Sequence, residues 1–515
     1  MKNKIFKHLV AFAVILSMLF CITACGSESG STAIGDDVID SPYDSSTGDS
    51  GDAMTQSTVL SDSDLRYVMI YNPKIYDENN QFDNSSLKVG AFGSQIDTNA
   101  SRADGLETEQ KYASISQMEW MQYLPSKIEL EGDRADPMGI DYKLGDKKNF
   151  YYTKNDLSLL DRSEAEFTCI YVGEYCHIWS IDDSVGQSAI EAAGREFDEK
   201  IYKEVAGVFG TPRFVGETGK VNILLFEMPS YYLGYFANPD IFLESEHSYV
   251  GIDFNCNTGH AIININIDLL RYPGNEELTY STLAHELQHL INTSAFFSTA
   301  SASLMNTWLN EGMSGYIETV LYPNSKELSG HYEAFNESDL IRNGQSLYNF
   351  ASDAPDVGVY GSVYYFSKYL EKISGKNIFA DIMEYWRDSY SLTLSVPEAL
   401  ANSVSKTLYN EINSSIDYST LGLTFESDAH EWMSKLCLNF YLSTLSNNKN
   451  ISDFEKIKPE ALLYDSIDSA NIEGGGRLII ALNENTFEIP EDSDSGLVYI
   501  GLDKDFQPIT EFICK

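Results

Sequence analysis

Basic residues are scarce in this chain. Its 515 residues hold 35 Lys and Arg against 77 Asp and Glu, a formal net charge of −42. Phosphate recognition runs on Lys and Arg, so nucleic acid is excluded as a partner. Electrostatic adsorption to an anionic membrane is excluded for the same reason. Cysteine is sparse too. Beyond the first 25 residues only Cys169, Cys176, Cys256, Cys437 and Cys514 remain, an odd number, so at least one has no partner within the chain. Cys169 and Cys176 flank Gly173-Glu174, which reads as a hairpin turn. They would share a sheet face without standing opposite each other, so no bond is expected between them. None of the five has the close spacing of a structural metal cluster. Long apolar runs are missing as well. Leu9 to Phe20 is broken by Ser17, and its 12 residues fall short of the roughly 20 that span a bilayer.

Histidine is rare, with eight in the chain, and two of them stand four residues apart in His285-Glu286-Leu287-Gln288-His289. Pro273-Gly274-Asn275 followed by Glu276-Glu277 predicts a helix start, with Asn275 capping and the acids at the positive end of the dipole. Leu283, Leu287 and Leu290 form an apolar stripe that would bury this helix. On it, His285 and His289 fall within about 40° of each other, one turn apart, so both rings can reach one metal ion. Glu286 is rotated about 100° from His285, so it misses the metal and can meet a water activated there. Twenty-two positions after His289, Trp308-Leu309-Asn310-Glu311-Gly312 places a carboxylate on what reads as a second helix. Two imidazoles, a carboxylate ligand and a general base make an open, catalytic type of site.

These residues resemble the gluzincin superfamily of zinc metallopeptidases, in which HExxH is completed by a glutamate on a following helix. The wording from Thr282 to Asn292 is most similar to bacterial secreted peptidases of the hyicolysin family. The resemblance covers roughly residues 185–375. It implies an α+β, thermolysin-like catalytic domain with a mixed-sheet upper lobe and a helical lower lobe. It further implies one catalytic Zn2+ held by His285, His289 and Glu311, with Glu286 as base and a protein or peptide as substrate. Thermolysin carries an aspartate four residues after its glutamate ligand, where this chain has Gly315. Glu318, seven residues on, lies on the same helical face as Glu311 and is the candidate second partner for a ligand histidine. For the oxyanion of peptide hydrolysis, Tyr360 matches the catalytic tyrosine of the zinc aminopeptidase branch, with His331 and His430 as alternatives. That branch also carries a Gly-x-Met-Glu-Asn stretch that grips the substrate amine. No such stretch occurs here, which favours an endopeptidase over an aminopeptidase-like exopeptidase. A third reading is a non-catalytic surface-binding lipoprotein on a peptidase scaffold.

Lys2, Lys4 and Lys7, the apolar run and Ile22-Thr23-Ala24-Cys25-Gly26 resemble a bacterial lipoprotein signal, with Cys25 as the lipid-bearing residue. The implied location is the bacterial cell envelope, held to the membrane by lipid. Residues 25–64 are rich in Gly, Ser, Thr and Asp and read as a disordered acidic tether. Its acids leave weak structural Ca2+ binding open. The expected organisation is a signal peptide at 1–24, the tether, a β-sandwich-like accessory domain at 65–182, the peptidase domain at 183–450 and a C-terminal β segment at 451–515. Strands are expected at 67–71, 127–130, 166–172, 175–179, 221–226, 249–254, 261–267, 477–482 and 496–502. Helices are expected near 187–206, 338–350, 361–373, 377–389, 396–414 and 427–446.

Overall fold

Residues 59–71 do not open a separate domain; their two strands join two sheets whose other strands come from the far end of the sequence. The computed structural model describes residues 59–75, 86–90, 139–153, 162–212, 218–229, 232–247, 252, 254–296, 305–325, 331, 335, 338–348, 357–375, 377–388, 396–445, 461–463, 470–509 and 512–515. All of them fall in one unit, Gln56–Ala351 with Pro355–Lys515. Strand β1 (Val59–Ser61) pairs antiparallel with Thr486–Glu488, so the expected tether ends before residue 59. Leu60 is the reason: it is buried opposite Phe487. Strand β2 (Tyr67–Tyr71) lies between Arg477–Ala481 and Val498–Leu502, antiparallel to both. Strand β3 (Ser86–Val89) pairs with Ala470–Glu473. The two-residue period of β2 sends Val68 and Ile70 into a cluster with Leu478, Ile480 and Tyr499, while Met69 and Tyr71 face the main core. A strand buried on both faces needs a neighbour on each edge, and here the neighbours come from the C-terminal segment.

The remaining described strands of the expected accessory domain belong to the sheet on which the helix of His285 and His289 packs. Strands β4 (Lys147–Thr153), β5 (Arg162–Val172) and β6 (Cys176–Ser180) run antiparallel to one another. Strands β7 (Val221–Phe226), β8 (Gly234–Phe236) and β9 (Ile262–Asn266) extend the sheet in the order β4-β5-β6-β7-β9-β8. The β6–β7 and β7–β9 pairings are parallel, and β8 is an antiparallel edge. The boundaries expected at 182 and 450 are thus both crossed by hydrogen-bonded strands. The strand expected at 127–130 lies outside the described residues. Ile252 and Phe254, expected in a strand, are not in one. That stretch follows Asp240, whose carboxylate accepts Arg162 Nη1 and Nη2 at 2.5 and 2.8 Å and Asn257 N at 2.8 Å.

A parallel β6–β7 pair needs a helical crossover. Helix α1 (Gln187–Glu196), a π turn at Phe197–Ile201 and α2 (Tyr202–Phe209) supply it. The π turn brings Asp198 back to the β5–β6 hairpin, where it accepts Glu174 N and Tyr175 N at 2.8 Å. Gly173 is required there, because a Cβ would stand 2.1 Å from Asp198 Oδ2.

After α3 (Asp268–Arg271) come α4 (Glu276–Phe296) and α5 (Thr307–Leu321), the two helices of the candidate site. The lower part is helical: α6 (Asp339–Arg342), α7 (Val357–Ser374), α8 (Ile378–Asp388), α9 (Val396–Ser403), α10 (Lys406–Asn413) and α11 (Asp428–Leu445). The helix expected near 338–350 is a single turn. Gly344 at φ +97° stops it, and its carbonyl accepts Glu473 N at 2.9 Å. The helix expected at 396–414 is two, because Ser405 caps α10 by accepting Leu408 N at 3.2 Å. Among the described residues no helix is long and apolar enough to cross a membrane. The five cysteines are buried and unbonded, Cys169 and Cys176 included.

His177 in β6 gives the fold a specific acid sensitivity. It is buried beside Tyr142 and Trp179, with ring centroids 5.8 and 6.3 Å away, and neither ring nitrogen makes a hydrogen bond. Burial, then Lys220, push its pKa down from 6.5 to about 4. Protonation therefore favours the unfolded chain: this contribution is whole above about pH 6.5 and lost as pH falls toward 4. His177→Phe should flatten the decline of melting temperature between pH 6.5 and 4 relative to the unaltered chain. Parallel melting curves for the two proteins would place the sensitivity elsewhere.

Candidate metal centre

Helix α4 is buried all round from Ser281 to Ser294, so its polar groups must be satisfied internally. The hydroxyls turn back on the helix: Ser281 and Thr282 donate to Leu278 O at 3.0 and 2.7 Å, and Ser294 donates to Ile291 O at 3.0 Å. Leu283, Leu287, Leu290 and Ile291 join the main core with Ile223, Leu225, Ile263 and Ile265 of the sheet. Thr293 donates to Asn238 Oδ1 at 3.0 Å, tying the helix to the loop after β8. This packing fixes the rotation of α4, and with it the direction in which His285 and His289 point.

Helix α5 is held against α4 by side chains on either side of Glu311. Asn292 donates to Asn310 Oδ1 through a short hydrogen bond, and Gln288 donates to Met313 Sδ at 3.7 Å. On its far side α5 packs closely on α7. A Cβ on Gly312 would lie 2.5 Å from Ser367 Oγ and 3.2 Å from Val363 O. At Gly315 a Cβ would lie in ordinary contact with Tyr364, at 3.5 Å from its Cβ.

The result is one cluster. Ligand atoms from His285, His289 and Glu311 lie within 4.8 Å of one another, and all three residues are buried. Glu311 Oε2 is 3.4 Å from His285 Nε2 and 3.5 Å from His289 Nε2, and the two rings are nearly perpendicular at 83°. Donor atoms about 2.1 Å from a tetrahedral zinc are themselves about 3.4 Å apart, so the spacing fits that ion. The unmet polar atoms fit it as well. Both nitrogens of His289 and both carboxylate oxygens of Glu311 are buried without a hydrogen bond. Burying such groups unpaired is costly, and a cation would offset the cost.

The electrostatics point the same way. Burial opposes a charge on His285, yet Glu318, then Glu311 and Glu286, raise its pKa well above the ordinary value. The site thus attracts positive charge, as a proton or as a metal ion. Burial also works against ionised Glu311, but His289 and His285 bring it down to about 2. Glu286 differs. Burial, helped by Glu311 and Glu318 and opposed by the two histidines, lifts it to about 7. Its oxygens are buried and make no hydrogen bond. A carboxylate whose pKa lies near neutral pH is suited to take and return a proton.

Glu318 stands behind the cluster, buried between two imidazoles. Its Oε2 is 3.4 Å from His285 Nδ1 and its Oε1 is 3.0 Å from His331 Nε2. The sequence offers His331 as an alternative to Tyr360; the structure sets it against Glu318. No periodicity marks residues 326–334, so nothing in the sequence announced that contact. Tyr360 is buried in the first turn of α7, and Tyr364, one turn on, is the ring that packs on His331 at 5.5 Å. His430 is on α11, where burial lowers its pKa against the pull of Glu398 and Glu426 rather than of the cluster's carboxylates. Cys25 and residues 26–58 of the tether whose acids left Ca2+ open lie outside the described residues; among those described, the His285, His289 and Glu311 group is the one that could hold a metal.

The chain matches no protein-family model. It is similar to the neutral metalloprotease ShpI of Staphylococcus hyicus, 30% identical over 274 residues, which is 51% of this chain and 59% of that protein. The chain therefore spans under two thirds of the length of that relative. Among solved structures, native yeast LTA4 hydrolase aligns at a TM-score of 0.28 and 14% identity, over 54% of this chain and 44% of that one. A zinc metallopeptidase of Deinococcus radiodurans aligns at 0.28 and 12%, over 56% and 51%. At those scores the two likenesses carry no argument.

Proposed function

We propose that this chain is a zinc-dependent endopeptidase that hydrolyses peptide bonds in extracellular proteins or peptides. One observation carries the reading: two imidazoles and a carboxylate converge at tetrahedral spacing while Glu286, beside them, is buried with no partner. Similarity to a neutral metalloprotease supports it. His285, His289 and Glu311 would hold the ion, which supplies Lewis acidity toward the scissile carbonyl and makes water more acidic. Glu286 takes the proton of the attacking water and returns it to the leaving amine. Glu318 orients His285 through its Nδ1.

Purified protein should hold about one zinc per chain, and His289→Ala should lose most of it. Glu286→Gln should keep the zinc yet lose at least about a hundredfold in turnover, the usual scale for a general base. An active Glu286→Gln enzyme would sink the assignment of the base. Mapping the fragments of an unfolded substrate by mass spectrometry separates the modes: internal cuts support the endopeptidase, and stepwise loss of N-terminal residues replaces it with an exopeptidase.

Tyr360 is proposed as the donor to the oxyanion, at the start of the helix that packs on α5. Tyr360→Phe should lower turnover by about 10²–10³ with little change in KM. A variant within threefold of the unaltered enzyme would assign the ring to packing.

Lipid at Cys25 is proposed to hold the enzyme at the cell envelope, since a chain this acidic has no electrostatic means of resting on an anionic surface. The unaltered protein should take up a fatty-acid label and partition into detergent, and Cys25→Ser should do neither. Equal partitioning of the two would remove the anchor.

A further inference from the structure

We propose that His331 is a positioning residue for the metal centre, acting through Glu318 on His285. The inference rests on the reading of the cluster as a zinc site. Glu318 gives one oxygen to each of two imidazoles, at 3.0 Å to His331 Nε2 and 3.4 Å to His285 Nδ1. An ionised carboxylate only accepts, so His331, within hydrogen-bond reach of Oε1, must present an N–H to it, while Oε2 makes no hydrogen bond and meets His285 Nδ1 as an ion-pair contact. The facing carboxylate favours a proton on His285 Nδ1, which leaves Nε2, the nitrogen that faces Glu311 at 3.4 Å, as the one to meet a metal. For His331 the donor is Nε2, and this bond sets the rotation of the carboxylate. Without it Glu318 would be a buried carboxylate answered on one side only, free to turn its second oxygen away from His285.

His331 is itself held in place from behind. Its backbone is pressed against α7 at Gly361, where a Cβ would stand 2.2 Å from His331 O and 2.8 Å from Phe335 N. Gly361 carries no positive φ, so the glycine is there for this approach. The imidazole rests on Tyr364 with ring centroids 5.5 Å apart. Helix α7 thus reaches the metal ligand through Tyr364, His331 and Glu318 in turn. The support is one-sided, since His289 Nδ1 is buried with no hydrogen-bond partner. Of the two histidine ligands, His285 depends on a second residue for its orientation and His289 on packing alone.

The test is zinc affinity, measured by competition with a chromogenic chelator on the full chain, with melting temperature recorded alongside. His331→Leu keeps the bulk and removes the donor, and should weaken zinc binding by about 10–100-fold, the scale of such outer partners. His331→Gln offers an amide N–H at the reach of Nε2 and should stay within threefold of the unaltered protein. With zinc saturating, His331→Leu should lower kcat and leave KM unchanged. If His331→Leu does not fold, Gly361→Ala takes its place, since the added methyl displaces the His331 backbone and should weaken zinc binding in the same range. Equal affinity in the unaltered, Leu and Ala proteins would overturn the proposal, as would equal weakening in the Leu and Gln variants. An unaltered protein that takes up no zinc would instead overturn the zinc reading itself.

Discussion

Three glutamates, Glu286, Glu311 and Glu318, are removed from water side by side, and much of this molecule is arranged around that fact. A buried carboxylate is costly unless a donor or a cation meets it. Here each has a different answer. Glu311 has two imidazoles, Glu318 has one on each oxygen, and Glu286 has none. That difference separates their chemistry: the first two stay ionised, and the third is lifted toward neutral pH where it can exchange a proton. The sheet, the short hydroxyl side chains of α4 and the glycines of α5 and α7 let these helices come close enough for the arrangement to exist.

The candidate site was legible in the sequence because its residues are tied to helical geometry. His285, Glu286 and His289 share one helix, and Glu311 and Glu318 share the next, so the 3.6-residue repeat alone sorts them onto faces. What the sequence did not show was how α7 contributes. Gly312 admits the close approach of Val363 and Ser367 on that helix. Contacts of that kind have no period, and His331 stands in a stretch without pattern.

The fold was legible in its elements more than in its grouping. Strands at 67–71, 221–226 and 477–481 lie where alternation or apolar runs placed them. Grouping by position along the chain failed, because pairing follows the edges that need covering. The hairpin at Gly173 looked like part of an N-terminal sandwich. It is instead the start of the sheet that backs α4, joined to it by the parallel β6–β7 pair.

The place of β2 has a consequence for how the chain comes to fold. Asn72, just past β2, donates to Ile472 O across 400 residues. Both neighbours of β2 belong to the last 40 residues. During synthesis this strand has no partner on either edge until residues 477–502 exist. Contacts of such long range close slowly. The helix that bears His285 and His289 and the sheet behind it lie earlier in the sequence, so β2 is paired after them. A protein lacking Arg477–Leu502 would keep His285, His289 and Glu311 and still present an open, sticky edge.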